Sequence, residues 1–246
     1  MALKASPESQ ALLLELQAFD TKLSQLDHRA KSLPELATLA GFAKDADALR
    51  LTLGQQNGAL EDTGIELKRI ESDVEVVETR IKRDTERLQG SSSVKDVAAL
   101  EQELAALKKR LSDLEEIELT VMEKLEGQQT QAGNTTAALD ALRARTAEVE
   151  ADRDAVLSTI TAERTVAAAG RSSLEAQVPA ELLALYERQR ARYGTGASLL
   201  RGGVSMASGV KLLENEMQAI RAAAPDDVIM CASSEAILVR TAESGL

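Results

Sequence analysis

Apolar residues recur at alternating steps of three and four along most of this chain. Leu12, Leu16, Phe19, Leu23, Leu26, Ala30 and Leu33 make one run. Leu39, Phe42, Ala46 and Leu49 open a second that continues to Leu88. Val97, Leu100, Leu104 and Leu107 open a third that continues to Ala167. Such spacing keeps one narrow apolar seam on a helix and demands a partner helix to cover it. Between Pro34 and Pro179 there is no proline to interrupt the pattern. The composition agrees. There is no Trp, only 2 Phe and 2 Tyr, and 28% of residues are charged. A compact core of this size uses many rings, whereas a long helix or coiled coil does not.

The breaks between runs set the topology. Ser6-Pro7 reads as a helix start, with an N-cap hydroxyl and Pro at the first helical position. Pro34 predicts a break or a kink in the helix. Gln89 to Ser93 has turn composition, so residues 89–96 are the expected tip of an antiparallel hairpin. One register then pairs Leu88 with Val97, Ile81 with Leu104, Val77 with Leu107 and Ile70 with Leu114. Beyond Pro34 a slightly shifted register pairs Leu26 with Ile160, Ala30 with Val156 and Phe19 with Ala167. The third helix, about 80 residues, would be ~120 Å long, which predicts an elongated particle. Gln56 falls opposite Gln128 in this seam, with Gly54, Gly58, Gly127 and Gly133 nearby, a candidate hinge.

After residue 175 the style changes. Leu182, Leu183, Leu185 and Tyr186 line one side of a short helix. A Gly- and Ser-rich stretch follows, then a helical segment, then two apolar runs at Val228 to Cys231 and Ile237 to Val239 that read as a strand pair. The expected fold class is mainly α: a long antiparallel coiled-coil helical hairpin over 1–175, with a small α+β zinc-ribbon-like C-terminal cap over 176–246. Val204, Val210, Leu212, Ile229, Met230, Ile237 and Leu238 are its expected core.

Ser205-x-x-Ser208 and Cys231-x-x-Ser234 have the spacing of two zinc knuckles with serine at three of the four ligand positions. Together with the long hairpin, the Val178 to Arg188 stretch (VPAELLALYER) and the ending Ile237-Leu238-Val239-Arg240-Thr241, this pattern resembles the bacterial coiled-coil proteins that end in a C4-type zinc ribbon. In that family the second knuckle reads Cys-Pro-x-Cys-Gly; here it reads Cys231-Ala232-Ser233-Ser234-Glu235. The resemblance implies a zinc-stabilised cap and protein partners, including secretion or flagellar components and an alternative sigma factor. Serine hydroxyls are poor zinc ligands, so the knuckles are degenerate and neither a metal nor any other cofactor is expected.

The formal net charge is −11, which disfavours nucleic acid and anionic membrane as partners. A single Cys and a single His exclude a multi-cysteine metal site and most His-centred catalysis. No apolar run approaches the ~20 residues of a membrane span, and the N-terminus has no signal-peptide pattern, so a cytoplasmic protein is expected. There is no phosphate loop and no nucleophile–base pair. The expectation is a non-enzymatic coiled-coil adaptor, monomer or weak dimer, that binds protein partners. The alternative is a regulator that binds RNA polymerase in the manner of secondary-channel factors, or a nucleic-acid-binding protein. Candidate partner-binding residues are Val94 and Asp96 at the tip, and Tyr186, Arg188, Arg190, Arg192, Tyr193 and Arg201 in the cap. Tyr and Arg often dominate interfaces.

Overall fold

The computed structural model describes residues 3–246. Three long helices come first: α1 (Pro7–Lys31), α2 (Pro34–Gly90) and α3 (Val94–Glu175). Then come α4 (Ala180–Tyr193), β1 (Ala197–Arg201), β2 (Val204–Ser205), β3 (Val210–Lys211), α5 (Glu214–Ala222), β4 (Ile229–Met230) and β5 (Ile237–Val239), with a final 3-10 turn. The protein is mainly helical, a long helical hairpin with a small strand-containing C-terminal part. It divides into two compact units, Glu35–Ala151 and the remainder.

In the unit Glu35–Ala151, α2 and the first part of α3 run antiparallel. Arg80 pairs with Glu103, Lys124 with Glu66 at 3.4 Å, and Arg145 lies over the Phe42 ring at 5.0 Å. Numbers rising on α2 thus meet numbers falling on α3. The heptad positions are the covered ones: Ile70 on α2, and Leu100, Leu104, Leu114, Val121, Leu139 and Leu142 on α3 are buried. Ser91 to Ser93 separate the helices, and the Ser93 carbonyl accepts from the Val97 amide at 2.9 Å, closing the first turn of α3. Two polar residues sit in this seam: Thr63 is buried, and so is Asp84. The amide oxygens of Gln56 and Gln128 are likewise shielded and have no hydrogen-bond partner.

The other unit joins the N-terminal segment to everything after Ala151. Ser6 caps α1, its hydroxyl accepting from the Ser9 amide at 3.2 Å, with Pro7 at the first position. At Pro34 the chain breaks between helices: α1 ends at Lys31, Ser32 caps it, and Pro34 begins α2. A missing amide costs nothing at a helix start, so the proline separates two helices here. α1 runs antiparallel to the end of α3, where Leu26, Leu33 and Ile160 are buried with Ala30 and Val156 against them. Gly170 lets Phe19 in: a Cβ there would lie 2.6 Å from the ring.

The sheet has the order β3-β2-β1-β5-β4. β1 and β5 pair in parallel, Ala197 with Ile237 and Leu199 with Val239; the other pairs are antiparallel. Alternation along the strands sends side chains to two cores. Ala197, Ile237 and Val239 join Leu13 and Leu16 of α1 with Val178, Leu182 and Tyr186. Leu200 and Leu238 join Leu212, Met217, Ile220 and Cys231. The expected cap core is therefore shared with the N-terminal helix. Val210 is not part of it, because it sits on the edge strand β3 and is exposed. Arg240 closes the C-terminal end of α5, donating to the carbonyls of Ala223, Ala224, Pro225 and Asp227 at 2.6–3.2 Å. It satisfies acceptors that a helix end leaves open.

Candidate functional site

The two degenerate knuckles do come together. Cys231 is fully buried and its sulfur lies 3.2 Å from the Ser233 hydroxyl oxygen, which is itself 3.2 Å from Ser208 Oγ. Ser205 is fully buried, and the Ser205 and Ser234 hydroxyls have no conventional partner. In the turn between β4 and β5 the Cys231 amide donates to Ala236 O and the Glu235 amide to Cys231 O, both at 2.8 Å. Glu235 stands where the zinc-ribbon pattern carries glycine, and it takes a left-handed conformation with φ of 56°. Burial alone would push the Cys231 thiol up. The hydroxyls of Ser205, Ser233 and Ser234 and the Ser234 backbone outweigh it and hold the thiol down at about 6. Hydroxyl protons rotate freely toward the sulfur, which lets several serines serve one thiolate.

This donor set does not fit zinc. One thiolate and neutral hydroxyls cannot replace four strong ligands. Among the described residues, no group of three or more His, Cys, Asp and Glu is placed to hold a metal ion.

The arginines and tyrosines of α4 divide into two kinds. Tyr186 is fully buried, and its hydroxyl donates to Asp20 at 2.6 Å. Burial, with Asp20 next in weight, pushes this phenol well above its ordinary range. Tyr186 presents nothing to a partner: α4 turns it inward because Leu182 and Tyr186 lie one turn apart on its apolar side. Arg190 also faces this junction, bonded to Glu187 at 2.6 Å and near Asp20 at 3.4 Å. Arg171 from α3 donates to Asp20 at 2.7 Å and to Glu175 at 2.7 Å, and also pairs with Glu187. Burial disfavours its charge, yet Asp20 and Glu187 hold it firmly protonated. Gln17 adds an acceptor for the Gly196 amide at 2.7 Å. Gln17, Asp20 and Arg171 were not singled out in the sequence, where they read as ordinary heptad-flanking polar residues.

Arg188, Arg192 and Tyr193 are exposed, with the Arg192 guanidinium 5.2 Å from the Tyr193 ring centre. Arg201, at the end of β1, pairs with Glu243 at 3.1 Å. At the hairpin tip Val94 is 86% exposed, the most exposed of the large apolar residues. Asp96 is exposed beside it, in the first turn of α3. Asp84 is buried in the seam among Arg80, Arg83 and Arg87. His28 is an exposed helical residue.

The CT398-like coiled coil hairpin domain model matches residues 16–194. The chain belongs to this family. Among curated relatives, the uncharacterized protein Rv2229c of Mycobacterium tuberculosis is 35% identical over 239 residues, covering 97% of this chain and 98% of that protein. A solved structure from Mycobacterium smegmatis is similar at a TM-score of 0.88 and 32% identity, covering 97% of this chain and 100% of the other. The structure of CT398 from Chlamydia trachomatis is similar at a TM-score of 0.68 and 18% identity, covering 94% and 97%, a likeness of fold. The match supports the coiled-coil hairpin part of the expected resemblance and supplies nothing for a C4 zinc ribbon. The relatives carry no enzymatic assignment. No helix among the described residues is long and apolar enough to cross a membrane.

Proposed function

We propose that this protein is a non-catalytic adaptor that binds protein partners through the tip of its hairpin and the outer face of α4. The observation that carries the reading is Val94, an apolar side chain 86% exposed at the end of a hairpin whose other branched apolar residues mostly line the seam. It sits beside a turn of three serines that can adapt to a bound surface. The exposed Arg192–Tyr193 pair supplies a second surface of the residue types that dominate interfaces. Arg190 and Tyr186 belong to the buried junction and are left out of it. Replacing Val94 and Asp96 together with Ala, and separately Arg188 and Arg192 with Ala, should weaken recovery of native partners from cells with helicity unchanged. If neither pair matters and the shaft substitution Arg110→Glu abolishes recovery, the reading fails.

A further inference from the structure

The outer face of α2 carries large apolar residues that nothing among the described residues covers. Leu51, Ile65 and Val76 are 67%, 61% and 64% exposed. At 3.6 residues per turn these three fall on one stripe, directed away from the seam of Leu60, Thr63, Leu67 and Ile70. Gly54 and Gly58 lie in the same stripe, and an added Cβ at either would meet nothing within 4 Å. The stripe keeps the seven-residue spacing of a second seam, since Leu51, Gly58, Ile65 and Ser72 are one heptad apart.

The charges that flank the stripe are self-complementary. Glu61 and Asp62 precede Ile65, and Lys68 and Arg69 follow it; all four are exposed and make no ion pair among the described residues. In an antiparallel pairing about a two-fold axis through Ile65, a residue before Ile65 comes level with the one at the same distance after it on the other copy, and its flank partner is the residue within one position of that level on the same side of the stripe. Glu61 then lies beside Lys68 of the second copy on one flank, and Asp62 beside Arg69 on the other. The helical phase puts each acid on the same flank as its base. Further out, Gly58 faces Ser72 and Gly54 faces Val76, a small residue opposite a larger one in each case. Parallel pairing would instead set Glu61 against Glu61 and Lys68 against Lys68, which repel.

We infer that the outer face of α2 is an isologous docking surface for a second copy of this chain, packed antiparallel about Ile65. The few large apolar residues make this a concentration-dependent association. Because every residue invoked is exposed on a helix already packed through its opposite face, substitutions there leave the hairpin intact.

Sedimentation equilibrium of the full chain over micromolar to millimolar concentrations tests the inference. The mass should rise from 26.3 kDa toward twice that value. The double variant Glu61→Lys with Asp62→Lys should stay monomeric, as should Lys68→Glu with Arg69→Glu, each with wild-type circular dichroism. Mixed in equal amounts, these two should form a heterodimer, because every facing pair becomes opposite in sign. Ile65→Lys alone should also abolish association. A wild-type chain that remains monomeric throughout overturns the inference. So does wild-type-like association of either charge variant, or a mixture of two folded variants that stays monomeric.

Discussion

Glu235 holds a left-handed backbone conformation that costs a non-glycine residue about 1–2 kcal/mol. Glu235→Gly should therefore stabilise the protein by roughly 1 kcal/mol, read as an upward shift of the denaturation midpoint. An unchanged or lowered midpoint would mean that the Glu235 side chain contributes more than its backbone costs. Cys231 makes a second residue-scale prediction. Its thiol is held at about 6 in the fold, against 9.0 for a free thiol. A group whose pKa is depressed by folding contributes stability in its ionised state. That contribution is complete above about 9 and is lost as the pH falls through 6. Stability should thus decline between pH 9 and 6 in the wild type. Cys231→Ala should lack that component of the slope, and an identical slope in both would contradict the thiolate.

At the scale of elements, glycines of the same type have opposite roles. Gly170 faces the Phe19 ring, so Gly170→Ala drives a methyl into it and should cost about 1–3 kcal/mol. Gly127 and Gly133 face open space on α3, and Ala at either should add about 0.5–1 kcal/mol. Thermal melts of the three variants check both signs. Of the candidate hinge, the structure shows two unpartnered glutamine oxygens and open glycines within unbroken helices. The long helices were readable because the heptad period is local and repeated. The tip was readable from three serines between two seams, and the pairing of β4 with β5 from two apolar runs. β2 and β3 were not, since two residues each carry no period. The sharing of the cap core with Leu13 and Leu16 was invisible for another reason. It depends on where α1 packs in three dimensions, and both residues fit an ordinary helix face equally well. Tyr186, on the apolar side of its helix, and Arg190 were both candidates for partner binding, and their inward partners Asp20 and Glu187 carried no signal in the sequence.

Across the whole molecule, apolar side chains divide between covered seams and cores and a set of exposed positions. The seam of the unit Glu35–Ala151 is covered internally, leaving mostly charge outside it, and exposed ion pairs contribute little affinity. The sheet-bearing unit closes two apolar cores, with Cys231 in one and Tyr186, bonded to Asp20, in the other. Among the exposed positions are Val94 beside the serine turn, the Arg192–Tyr193 pair and the α2 stripe that faces a second copy. The adaptor reading is tested most directly by photo-crosslinking in living cells, with a photoreactive residue placed in turn at positions 94, 192 and 110. Discrete adducts to other proteins from 94 or 192, and none from 110, are the predicted result. Adducts from 110 with none from 94 or 192 would contradict the account.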